Sequence, residues 1–226
     1  MVREQVGYVG RRVPWRQIAG GVVLCAPLLL ISAGRADSVN EVLPVIRIAA
    51  LTFAATAVFA LHDPSAAVTH ASPPGRLHLR CLAAVLTFVV IASAWAALVV
   101  LSDSFADSAL RPLMPGASVE LVAMYAAGLA VGAATERATS VRVPPAWGAA
   151  ALVMMVAASL TDARMRSWLW VDPGPQWNRA HLRWAALAAV GFVAFAWSSR
   201  DPARRALRSG VNHLSHSARQ DDDVSV

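Results

Sequence analysis

The feature that most limits how this chain folds is the recurrence of hydrophobic runs roughly 16–22 residues long with few charges inside them. A helix rises about 1.5 Å per residue, so each run approaches the length that crosses the ~30 Å hydrocarbon layer of a bilayer. Six runs are read, at 17–33, 44–61, 81–101, 117–135, 146–161 and 184–199. The fold class expected is therefore all-α: a polytopic membrane protein, a six-helix bundle. Pro27 falls inside the first run and is expected to kink it, because proline removes a ladder donor and crowds the preceding turn.

Composition agrees with that reading. The chain is 57% hydrophobic and 15% charged, too apolar for an ordinary soluble domain. No polar stretch is long enough to form a separate soluble domain. The expected divisions are an interfacial segment at 1–16, a transmembrane domain at 17–200 and a tail at 201–226. The first segment mixes Arg3, Arg11, Arg12 and Arg16 with Tyr8 and Trp15, which suits an element lying on a membrane surface. Ser32-Ala33-Gly34 resembles a cleavage site, but the apolar run begins late for a signal peptide, and an uncleaved start is expected. The tail is basic, then closes on Asp221, Asp222 and Asp223.

Arginine placement sets the expected orientation. With the N-terminus in the cytoplasm, Arg3, Arg11, Arg12, Arg16, Arg76, Arg80, Arg137, Arg142, Arg200, Arg204, Arg205, Arg208 and Arg219 lie inside. Arg35, Arg111, Arg164, Arg166, Arg179 and Arg183 lie outside. Thirteen against six follows the positive-inside rule and places both termini in the cytoplasm of a cell-membrane protein. The arginines of the 162–183 loop are the weak point of this topology. Trp168, Trp170 and Trp177 in the same loop are expected at the membrane–water boundary.

Two helices share a pattern. Arg47, Ala49, Ala50, Leu51, Phe59 and Ala60 align with Arg183, Ala185, Ala186, Leu187, Phe195 and Ala196. Asp63-Pro64 and Asp201-Pro202 follow, the second displaced by two residues. The pattern predicts two helices that run in the same direction.

The loop at 62–80 is the longest on the cytoplasmic side and the best candidate for docking a partner. Asp63 and Pro64 are expected to end the second helix sharply, and Arg76 and Arg80 to offer charge to an acidic groove. Anionic lipid headgroups are a rival for the same arginines. Segments 1–16 and 136–145 are lesser docking candidates.

Arg47 and Glu120 lie near the outer ends of their helices, where they either face each other across the bundle or, for Arg47, reach to the surface. Gly128 and Gly132 permit a close helix approach.

Chemistry-bearing motifs are sparse. The chain has no lysine, so it lacks the residue a phosphate-binding loop or a Schiff base needs. Cys25 and Cys81 suggest neither a disulfide framework nor a zinc site. His62, His70, His78, His181, His213 and His216 all fall outside the middles of the runs, which disfavours haem ligation. No enzyme activity, cofactor, metal or nucleic-acid partner is expected.

The stretch from Phe59 through His62-Asp63-Pro64 to Pro74, Arg76 and Arg80 is similar to small integral-membrane subunits of actinobacterial ABC transporters. So is Trp177-Asn178 with His181, Arg183 and Trp184, closed by Arg200-Asp201-Pro202. The resemblance implies a six-helix permease half that pairs with a second membrane subunit, or with itself, and with a cytoplasmic ATPase subunit. It brings no substrate-binding residue. The alternative is a non-transporting scaffold or assembly subunit of another membrane complex.

Overall fold

The computed structural model describes residues 10, 13–35, 38–61, 76–105, 110–138 and 145–200. Among them the regular elements are helical. In chain order they are α1 (Trp15–Arg35), α2 (Val39–Ala60), α3 (Arg76–Phe105), a 3₁₀ turn (Arg111–Leu113), α4 (Met114–Ala138), α5 (Pro145–Thr161), α6 (Ala163–Leu169) and α7 (Trp177–Ser198).

Each expected run lies mostly or wholly within a long helix, and most of these helices extend past the apolar residues. α3 begins at Arg76 rather than Cys81, so Arg80 belongs to the helix and not to the loop. Arginine is a good helix former, and the last breaker before it is Gly75. α7 begins at Trp177 rather than Trp184. The expected 162–183 loop contains α6, started by Asp162, whose side chain accepts a hydrogen bond from the Met165 amide at 2.9 Å. Pro27 lies within α1 and Pro44 within α2.

Directions follow from which residues meet. Glu120 at the start of α4 pairs with Arg47 at the start of α2, and Gly132 further along meets Val58 and Leu61, so α2 and α4 are parallel. His181 faces Glu120, Gly191 meets Ala126, and Arg137 reaches the Trp197 carbonyl, so α7 is parallel to them as well. α3 runs the opposite way: the Tyr125 hydroxyl donates to the Ala84 carbonyl at 2.6 Å and Trp95 Nε1 to Ser118 Oγ at 3.1 Å. α5 is also antiparallel to α4, since Gly148 lies by Gly132 and Leu152 by Gly128. α1 is antiparallel to α2, with Gly21 beside Phe53 and Leu29 lining one small cavity with Ile46. α1 thus starts, and α7 finishes, at the same end of the bundle.

α2 and α4 form the interior. Their apolar windows are 53% and 61% buried, against 28% for α1, α3 and α7. The core between them holds Phe53, Ala54, Leu121, Tyr125 and Leu129. Small residues set the spacing. A Cβ on Gly128 would lie 2.9 Å from the Ala54 carbonyl oxygen, and one on Gly191 2.9 Å from the backbone carbon of Ala126.

Among the described residues, five helices are long and apolar enough to cross a membrane. α5 and α6 add a sixth span if the pair, bent by 98°, is counted as one. The 17 residues of α5 extend about 25 Å on their own.

Candidate functional site

The end of the bundle where α2, α4 and α7 begin holds the most buried charge among the described residues, Glu120. Glu120 is 1% exposed and Arg47 13% exposed. Arg47 donates twice to the carboxylate, from Nε to Oε2 at 2.9 Å and from Nη2 to Oε1 at 3.0 Å. This fork geometry makes the strongest kind of side-chain ion pair. The same Nη2 donates to the Val171 carbonyl at 3.0 Å, and the guanidinium lies 5.2 Å from the centre of the Trp170 ring.

His181, on the second turn of α7, completes the group. Its Nδ1 is 2.7 Å from the Trp177 carbonyl oxygen, one helical turn back. Its Nε2 is enclosed and lies 3.3 Å from Glu120 Oε1. The Trp177 ring packs against the imidazole at 4.2 Å between centroids. Gly116 on α4 makes room for both rings: a Cβ there would fall 2.6 Å from His181 Nε2 and 2.7 Å from the Trp177 ring.

A short cap closes this end. The carbonyls at the C-terminus of α6 have no helical partner of their own. Three of the neighbouring carbonyls accept side-chain donors instead: Trp168 from Arg183 at 2.7 Å, Leu169 from Trp184 at 3.0 Å, and Val171 from Arg47. Trp170 donates to Ser159 at 2.9 Å, tying the cap to α5, and packs edge-on against Trp184. Arg183 lies over Trp168 much as Arg47 lies over Trp170. The two arginines that head the sequence repeat thus clamp one segment from two parallel helices.

Other expected residues fall elsewhere. Arg80 sits at the opposite end, buried and paired with Glu136 of α4, so its charge is engaged within the bundle. Asp63 and Pro64 lie outside the described residues, as do Asp201 and Pro202; Arg76 opens α3, and only its backbone is described. The tryptophans divide: Trp170 is buried in the cap, Trp177 is half-buried on His181, and Trp168 remains exposed. His181 is the functional candidate that the apolar pattern hides, because it lies in the polar first turns of α7.

The group sets a paired charge beside an imidazole. Among the described residues no three His, Cys, Asp or Glu side chains converge. No family model, curated protein or solved structure matches the chain.

Proposed function

We propose that this chain is a membrane-spanning subunit of an ABC-type transporter. It crosses the cytoplasmic membrane six times with both termini inside, and it relies on a separate cytoplasmic ATPase. The observation that supports this reading best is the buried Arg47–Glu120–His181 group, which joins three parallel helices inside an apolar exterior. Ionisable residues enclosed among membrane helices are costly and are generally kept for a pathway or for a moving contact. Without lysine the chain has no phosphate-binding loop, so ATP hydrolysis must come from a partner.

The arginine bias assigns the Arg80–Glu136 end to the cytoplasm. The stretch 62–75, with Asp63 and Pro64, joins α2 to α3 in sequence and is the proposed docking element for the ATPase. Arg76 opens α3 beside it, while Arg80 anchors α3 to α4. The apolar outer faces of α1, α3 and α7, carrying Val23, Val89 and Val193, suit lipid and a second membrane subunit or a second copy.

A scaffold reading is favoured by one observation: the Arg47–Glu120 fork is fully paired, as in a fixed clamp. Purification from membranes in mild detergent, with mass spectrometry of what accompanies the chain, separates the two. Transport predicts a co-purifying ATPase with its own phosphate-binding loop. Partners without any ATPase select the scaffold, and a chain that purifies alone contradicts both.

A further inference from the structure

We propose that His181 is a proton-binding site, where Nε2 takes up a proton, donates it in a hydrogen bond to Glu120, and so fastens α7 to α4. Donors and acceptors decide the ring's state. The Trp177 carbonyl can only accept, so the Nδ1 that lies 2.7 Å from it must carry a hydrogen. A neutral ring then has a bare lone pair at Nε2. Glu120 Oε1, also an acceptor, lies 3.3 Å from that nitrogen, off the line of a hydrogen bond. The contact is repulsive as long as the ring is neutral. Adding one proton makes it an attraction between an imidazolium and a carboxylate, which a small turn of either side chain aligns as a charge-assisted hydrogen bond.

The groups around the ring make this proton releasable. Glu120 faces it from α4, and Arg47 from α2 acts on it through Glu120. From α7 it meets the Trp177 carbonyl and ring, and from α4 the backbone at Gly116. One carboxylate lies between a guanidinium, which stays charged, and an imidazole, which exists with one or two ring protons. The side chain is 11% exposed, while Nε2 itself is enclosed. Loss of the proton returns the lone pair to the carboxylate and loosens the first turns of α7 from α4. None of this requires that the chain transport anything.

Nitrogen NMR of the histidine rings reads the state directly. The full chain is reconstituted in nanodiscs with 15N-labelled histidine and with the other five histidines, His62, His70, His78, His213 and His216, replaced by glutamine. His181 is then the only imidazole, and its contacts with Trp177, Gly116 and Glu120 are untouched. The expected result is an imidazolium with both nitrogens protonated at pH 5, converting to the neutral ring protonated at Nδ1 as the pH rises to 9. Over the same range the melting temperature falls by a few degrees, and it stays level in the variant that also carries His181→Gln. A ring that is neutral throughout, or doubly protonated throughout, overturns the proposal. A conversion to the neutral ring protonated at Nε2 overturns it too, because Nδ1 would then be no donor to Trp177.

Discussion

A charge enclosed among helices is tolerable only while its partner stays, and Glu120 is 1% exposed. Removing Arg47 strands that carboxylate. Arg47→Ala is therefore expected to cost on the order of 3–5 kcal/mol, the range for breaking a buried pair from one side. Replacing both partners with apolar residues of similar volume, Arg47→Met with Glu120→Leu, is expected to recover most of the loss. Reversible unfolding in mixed detergent micelles measures both variants. Equal destabilisation by the single and double changes would mean that the pair itself, and not the stranded charge, sets the cost. The sequence makes Arg47 and Glu120 visible as partners because each is an isolated charge near the same end of an apolar run. It does not reveal His181, which sits among Asn178, Arg179 and Arg183, where hydropathy reads a loop. The signal lies in the buried stripe of α7, Trp184, Ala188, Gly191 and Phe195. Followed backwards in steps of three and four, it reaches Ala180 and Trp177, and it carries the helix through His181.

Helix contacts are set by what small residues leave out. Gly191 meets backbone atoms of Ala126, which cannot swing aside as a side chain does. Gly191→Ala is expected to push α7 from α4 and to cost about 1–3 kcal/mol, as overpacking does. A Cβ on Gly20, in α1, would meet nothing within 4 Å. Gly20→Ala should be neutral or stabilising, since alanine is the better helix former by about 1 kcal/mol. The same unfolding measurement compares them; a loss at Gly20 as large as at Gly191 would sink this account of the packing. The existence of the long helices is legible in the apolar runs, because length and hydropathy suffice. Their true ends are not, since helices continue through arginines that apolarity does not register. α6 is hidden for a related reason: seven residues carry too little periodicity, and its stability comes from the Asp162 cap and from Arg183, Trp184 and Arg47 donating to its end. The parallel course of α2 and α7 accords with the shared Arg-to-Phe pattern, and the two arginines of that pattern meet the same short cap.

At the scale of the whole molecule, α2 and α4 make an interior and the outer helices carry an apolar surface that water would penalise. Exposed Leu182, Val190 and Val193 on α7, with Val85 and Val100 on α3, bury favourably only against lipid or another apolar chain. The proposed energy coupling gives a further expectation. The purified chain, free of partners, neither binds nor hydrolyses ATP, as measured by nucleotide binding and phosphate release. Turnover by the chain alone would refute the borrowed-ATPase reading.

α5 is decisive for the topology, because its 17 residues determine whether the membrane is crossed five times or six. From the level of Gly132 it runs to the Arg47–Glu120 end, a path of about 25 Å that a locally thinned bilayer accommodates. Six crossings put the turn after α6 outside the cell and the C-terminus inside, in line with the parallel α4 and α7; five would put that turn inside and the C-terminus outside, and would set α7 antiparallel to α4. The direct test is cysteine labelling at Asp172→Cys, in a background carrying Cys25→Ala and Cys81→Ala. A membrane-impermeant maleimide applied to intact cells is predicted to label position 172 without permeabilisation. Labelling that appears only after the membrane is opened would contradict the six-pass arrangement.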